Sequence, residues 1–356
     1  MKCEIELRQQ QNRVFVAGEE IDGFVVLKLN QNTIINEVSI QILGHAKCTW
    51  SIDSSVYYMQ SYHGKIEHLN ANLILLHKPI NGQAFLSGTH KFNFFFQLPE
   101  TLPASFNSLE GCVKYKMIIT VKRFAKSNSI YEYPFLVTRH VDLNEIIGLD
   151  RPLLKVTAKE FTIDFTSKSL YMSAMISQQG FVPHQIIDVR TQIDNRSIVY
   201  VKYVKISLKK ITIFTSQSPQ IHSKKVESTK AVAYCGDVPA HEKRMFMKYL
   251  KIPLLSPNIS NCDIIKVSYE IQVKAKSIGV TRSPTLRLPI QIGTTPLIRD
   301  SSLDYEMDMP LPRLEIAPMS YEECMAMSTP ESIDTDLIDF NLPTYDEAIN
   351  QNRIRE

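Results

Sequence analysis

The chain has 356 residues, 44% of them hydrophobic and 22% charged, which predicts two domains with a core in each and excludes a chain disordered throughout. The polar start from Met1 to Asn12 lacks the apolar stretch of a secretory leader, and the longest purely aliphatic run, Leu73 to Leu76, is too short to span a bilayer. The net charge of +3 conceals a division: residues 152–295 carry 21 Lys/Arg against 9 Asp/Glu, residues 296–356 carry 4 against 14, and residues 1–151 are near balance.

Period-2 alternation, the mark of half-buried strands, recurs along the chain. Val38, Ile40 and Ile42 alternate with Glu37, Ser39 and Gln41. Phe92, Phe94 and Phe96 share one face, and so do Val113, Tyr115, Met117, Ile119 and Val121. Phe161, Ile163 and Phe165 follow, then Val204, Ile206 and Leu208, then Val267, Tyr269, Ile271, Val273 and Ala275. No long helical stripe interrupts them before residue 296, so the pattern predicts all-β sandwiches rather than a parallel α/β sheet.

The strands are written twice. Ile21 and Val38 have counterparts at Ile187 and Val204, both 166 residues later; Val113 and Tyr115 have counterparts at Val267 and Tyr269, both 154 later. Two copies of one sandwich account for the length. Turn-forming residues at Asn144, Gly148, Asp150 and Pro152 place the boundary near 143–155, giving domains 1–150 and 151–296. Six prolines from Pro296 onward, among many acids, predict a disordered acidic tail over 297–356.

Chemistry-bearing motifs are scarce. The six cysteines are scattered without C-x-x-C spacing, and are expected to be reduced, mostly buried thiols rather than metal or redox ligands. No G-x-S-x-G, G-x-G-x-x-G or P-loop occurs, and His241-Glu242 lacks the second histidine of a zinc helix. Isolated histidines such as His90 and His140 are expected on strands or the surface, and Trp50 on a sandwich edge. The expectation is a chain without catalytic residues, metal or cofactor, hence no enzyme, and without the aromatic-basic platform of a nucleic-acid binder.

Four stretches together resemble the arrestin family, in its α-arrestin (arrestin domain-containing) branch. They are Phe15-Val16-Ala17-Gly18-Glu19-Glu20-Ile21-Asp22-Gly23, then Phe106-Asn107-Ser108-Leu109-Glu110-Gly111 before the strand at Val113, then Val141-Asp142-Leu143-Asn144, and last Leu288-Pro289-Ile290-Gln291-Ile292-Gly293-Thr294-Thr295-Pro296. The resemblance covers residues 3–296 and implies two tandem arrestin-type, immunoglobulin-like β-sandwiches. It departs in the second half, where His184 stands for Gly18 and Val189 for Gly23, so those turns are expected to differ in detail. The buried charged cluster with which visual and β-arrestins sense receptor phosphates has no counterpart legible in the sequence.

The same resemblance implies tail motifs of the P-P-x-Y kind that bind WW domains of HECT-type ubiquitin ligases. Leu342-Pro343-Thr344-Tyr345 is the nearer match, and Pro318-Met319-Ser320-Tyr321 is weaker because Met319 replaces the second proline. A polyproline II segment docks an aromatic groove at low entropic cost, and the tyrosine fills a second pocket. Ser320 with Glu323 and Thr344 with Glu347 also have capping-box spacing, so both are candidate helix starts. Leu337, Ile338 and Phe340 resemble a clathrin box, or a segment that docks on the folded domains.

Lys205, Lys209, Lys210, Lys224 and Lys225 mark a basic surface on the second domain. Three readings stay open: attraction to an anionic membrane or an acidic receptor tail, attraction to the chain's own tail, or a solvated strand face. The function implied is an adaptor that grips membrane receptor or transporter cargo and recruits a WW-domain ubiquitin ligase, acting in the cytoplasm and recruited to plasma membrane and endosomes. The alternative is a sorting-coat subunit of the Vps26 type, without ligase recruitment.

Overall fold

The computed structural model describes residues 1–8, 13–55, 58–78, 82–163, 166–278 and 283–298. The first sandwich contains β1 (Lys2–Leu7), β2 (Val14–Val16), β3 (Glu20–Leu29), β4 (Thr33–Ser55), β5 (Tyr58–His77), β6 (Gln83–Phe85), β7 (Gly88–Gln97), β8 (Phe106–Asn107), β9 (Gly111–Arg123) and β10 (Ser129–Thr138). A short 3-10 turn, Leu143–Glu145, opens on Asp142, whose carboxylate accepts from the Asn144 amide at 2.9 Å. The second sandwich contains β11 (Leu153–Ile163), β12 (Thr166–Ile176), β13 (Gly180–Phe181), β14 (Ile186–Asn195), β15 (Val201–Thr215), β16 (Ser223–Cys235), β17 (Lys243–Lys251), β18 (Ile265–Ser277) and β19 (Thr285–Ile292).

Each sandwich pairs a small sheet with a large one. In the first they run β1-β3-β7 and β2-β10-β9-β4-β5; in the second, β11-β12-β14-β17 and β13-β19-β18-β15-β16. The alternating segments seen in the sequence are the strands that fill the core: Val38, Ile40 and Ile42 of β4, Ile119 and Val121 of β9, Val204, Ile206 and Leu208 of β15, and Val273 of β18 are all buried. Of the earlier trios, Phe94 and Phe161 are buried, while Phe165 lies outside the described residues.

The duplication holds down to single hydrogen bonds. β2 joins β10 in parallel as β13 joins β19. The Val16 amide donates to the Glu19 carboxylate at 2.7 Å, and the Val182 amide donates to the Gln185 side-chain carbonyl at 2.9 Å. Leu98 donates to the Glu19 carbonyl as Ile252 donates to that of Gln185. The Tyr115 hydroxyl donates to the Pro103 carbonyl at 2.6 Å, and the Tyr269 hydroxyl to the Ser256 carbonyl at 2.8 Å. Each of these phenols would cost about 1–3 kcal/mol to bury unpaired.

One expectation is corrected. The turn holding His184 was expected to differ from that at Gly18, yet His184 adopts φ 70° and Gly18 φ 88°. The left-handed backbone is kept, at the energetic cost of a side chain there.

Candidate interaction surfaces

The four family-like stretches fall into three places. The first forms the β2–β3 turn already described. The third and fourth, far apart in sequence, meet in a clasp. Asp142 bridges Thr295 in parallel, Thr294 donates its amide to the Val141 carbonyl at 2.9 Å, and the Thr294 hydroxyl accepts from the Val141 amide at 2.8 Å. Asn144 donates to the Pro296 carbonyl at 3.0 Å and accepts from the Ile298 amide at 2.9 Å. His140, expected as an isolated surface residue, lies 3.0 Å from the Thr294 hydroxyl and 3.1 Å from that of Thr295. Gly293 is required here, because a Cβ would sit 2.6 Å from Leu143 Cγ and 2.8 Å from the Val141 carbonyl.

The second stretch lies at the seam between the sandwiches. Glu110 pairs with Lys224 at 3.3 Å, and Gly111 lets its chain lie beside Phe214, whose Cε1 a Cβ would approach to 3.0 Å. Phe106 and Phe214 stand 6.3 Å apart. Backbone bonds cross too: the His63 amide donates to the Ser218 carbonyl at 2.8 Å, and the Gln217 amide to the His63 carbonyl at 2.8 Å. The Lys65 amide donates to the Gln217 side chain at 2.9 Å, and Asn261 donates to the Thr101 carbonyl at 2.9 Å. Trp50, expected at a sandwich edge, is buried here with Tyr62 stacked on it at 5.7 Å and the His222 ring of the second sandwich at 6.2 Å. Burial pushes the Cys48 thiol up to about 11 and also raises that of Cys262.

The five lysines do not share one surface. Lys210 turns inward at the seam and places its ammonium over the Phe106 ring, 5.2 Å from the centroid. Burial, then the nearby Lys230, holds it down to about 8. Lys224 crosses to Glu110. Lys225 pairs with Glu227 at 2.5 Å, Arg287 bridges Glu227 and Glu270, and Lys209 faces Glu270 across the β15–β18 ladder, so two carboxylates lie among these three cations. Lys205 alone lies on an open basic face. Lys274 is directly opposite it, Lys276 is opposite Tyr203, and the Lys205 ammonium reaches over Tyr234 at 6.0 Å. Neither Lys205 nor Lys274 has an ion pair among the described residues. Sequence reasoning missed the clasp, the seam and the pairing of Lys205 with Lys274, because each depends on tertiary neighbours; alternation on β18 was the one signal for Lys274.

Pro318, Tyr321, Leu337, Ile338, Phe340, Leu342, Pro343 and Tyr345 lie outside the described residues. Among the described residues no cluster of three or more His, Cys, Asp or Glu is arranged to hold a metal, and no helix is long and apolar enough to cross a membrane. The five described cysteines are free thiols, four of them buried.

A sandwich present twice, its two copies joined by a seam and a clasp, defines a bilobal β-sandwich of the arrestin class. Comparison with known proteins agrees. Residues 3–144 match the arrestin (or S-antigen) N-terminal domain and residues 166–297 its C-terminal domain. The chain is 27% identical over 335 residues to human arrestin domain-containing protein 4, covering 88% of this chain and 78% of the relative. It is 22% identical over 302 residues to arrestin domain-containing protein 17 of Caenorhabditis elegans, covering 80% and 68%. Mouse arrestin domain-containing protein 1 is 22% identical over 293 residues, covering 81% and 63%. The chain belongs to the arrestin family, among its arrestin domain-containing (α-arrestin) members.

Proposed function

We propose that the protein is an adaptor that links membrane receptor or transporter cargo to a WW-domain ubiquitin ligase of the HECT type, for endocytosis and endosomal sorting. The observation that carries this reading is the combination of both arrestin domains with Leu342-Pro343-Thr344-Tyr345 beyond them. No step of the adaptor's work requires catalysis. In this reading the tail supplies the ligase contact, with Pro343 and Tyr345 as the residues a WW domain would recognise. The open basic face around Lys205, Lys274 and Lys276 supports recruitment from the cytoplasm to an anionic membrane leaflet, at about 1 kcal/mol per lysine near the surface.

Titration calorimetry of the full chain against a panel of WW domains tests the ligase contact. Micromolar binding is expected, lost in Tyr345→Ala and largely kept in Tyr321→Ala. Absence of binding to any WW domain would remove ligase recruitment and favour the Vps26-type sorting subunit, whose assembly survives deletion of residues 297–356.

A further inference from the structure

β17 ends its sheet, with β14 on one side and, among the described residues, no strand hydrogen-bonded on the other. At the two ends of the β14–β17 ladder, the Asn195 amide donates to the Glu242 carbonyl and the Ile252 amide to the Gln185 carbonyl. Bonded positions in an antiparallel ladder recur every second residue. Arg244, Phe246, Lys248 and Leu250 therefore turn their backbone groups toward β14. Lys243, Met245, Met247, Tyr249 and Lys251 turn theirs away, and among the described residues nothing bonds to them.

These five residues also share the outward face. Met245 is 61% exposed, Met247 49% and Tyr249 65%, an uninterrupted apolar run bracketed by the exposed Lys243 and Lys251. Neither lysine has an ion pair among the described residues. The charged neighbours on β14 are already committed, Asp188 to Arg190 at 3.2 Å and Asp194 to Arg196 at 2.9 Å. The first sandwich shows what an ordinary edge looks like at the same place. By the 154-residue offset, β7 presents Thr89, Lys91, Asn93, Phe95 and Gln97, with Lys91 tied to Glu6 at 2.6 Å. Edge strands are normally blunted in this way by polar and charged residues. On β17 the middle is apolar and only the ends are charged.

We propose that β17 is a strand-addition site for an extended segment of a partner protein. Apolar residues at alternate positions of that segment lie against Met245, Met247 and Tyr249. A carboxylate at each end meets Lys243 and Lys251, which stand about 27 Å apart at the usual strand rise. The exposed N–H and C=O groups supply affinity regardless of sequence, and the facing side chains select it. Methionine adapts its shape to varied apolar partners, and tyrosine adds area at low entropic cost. The charge complementarity of the two unpaired lysines fixes the occupant as an acid-flanked peptide. The site goes beyond ligase recruitment and requires nothing of the tail.

The probe is a fluorescent peptide, Gly-Asp-Thr-Val-Thr-Leu-Thr-Val-Thr-Asp-Gly, titrated into the full chain and followed by anisotropy and by amide hydrogen exchange. Saturable binding is expected, with new protection at the amides of Met245, Met247 and Tyr249. Met247→Glu should weaken it by about tenfold or more. Lys243→Glu with Lys251→Glu should do the same and transfer binding to the peptide with Lys in place of Asp. An unchanged melting temperature in these variants shows that the fold is intact. Absence of saturable binding, binding undiminished in Met247→Glu, protection elsewhere, or a self-associated chain that Met247→Glu dissociates would each overturn the proposal.

Discussion

The two sandwiches carry the same skeleton and spend the same positions differently. On β4 and β9, Gly44 lies opposite Tyr115, and on β15 and β18 Lys210 lies opposite Tyr269. Gly44 leaves room for the Tyr115 ring, since a Cβ there would penetrate it and come within 3.0 Å of Leu69 Cβ. At the equivalent site of the second sandwich a lysine fits, because its stem runs out of the core to the seam and its ammonium rests on Phe106 of the other sandwich. The tyrosine and its carbonyl partner are therefore common property of the fold. The space beside the tyrosine is not: it is closed in the first sandwich and is used for contact between sandwiches in the second.

The largest test of that difference is Gly44→Ala. It should cost about 3 kcal/mol, read as a lowered urea midpoint, because ring and backbone cannot both move in a filled core. A small effect would mean that Tyr115 is loosely held and that the two sites are equivalent after all.

Lys210→Met should act in the opposite direction. The ordinary lysine value is 10.5, and in the folded chain Lys210 is held at about 8. Between those values the unfolded chain binds the extra proton, so this residue's contribution to stability rises with pH across the window and is least favourable below it. Buried Cys3, Cys48, Cys235 and Cys262 have raised values, so they lower stability as pH climbs through the ordinary thiol range. Only the difference between wild type and variant isolates the lysine. Lys210→Met should be more stable by about 1–2 kcal/mol near neutral pH, with the gap narrowing by about pH 9.5. A gap independent of pH would show that the ammonium is fully solvated.

The smallest test concerns the shared turn. Gly18→Ala should destabilise by about 1–2 kcal/mol, through its left-handed φ and the Glu100 side chain 2.8 Å from the new Cβ. His184→Gly should stabilise by about 0.5 kcal/mol, because it relieves the same backbone strain at some entropic loss. Thermal melts of the two variants should move in opposite directions.

Much of the skeleton was legible because burial on one face of a sheet imposes period 2, and a duplicated sheet imposes it twice at fixed offsets. Ile21 with Ile187 and Tyr115 with Tyr269 were readable for that reason. Side chains that leave this pattern were not. Lys210 has the parity of Leu208 and yet escapes the core at the seam. His184 replaces a glycine while keeping its dihedral angle, which residue identity alone argued against. Lys209 reads as basic surface until Glu270, distant in sequence, comes to lie opposite it, whereas the partner of Lys225 stands only two residues away at Glu227. Met245, Met247 and Tyr249 alternate as clearly as any core strand, and only the sheet order shows that their face looks outward.

Trp50 is the only tryptophan in the chain, and it lies on the first sandwich against a ring of the second. Its indole nitrogen is buried without a hydrogen-bond partner among the described residues. Intrinsic fluorescence excited through the indole therefore comes from the joint between the lobes and from nowhere else in the protein. Parting of the lobes admits water to the indole, which shifts its emission to the red, and removes the imidazole of His222 as a local quencher. An unlabelled sample thus carries its own optical gauge of whether any added ligand pulls the two halves apart.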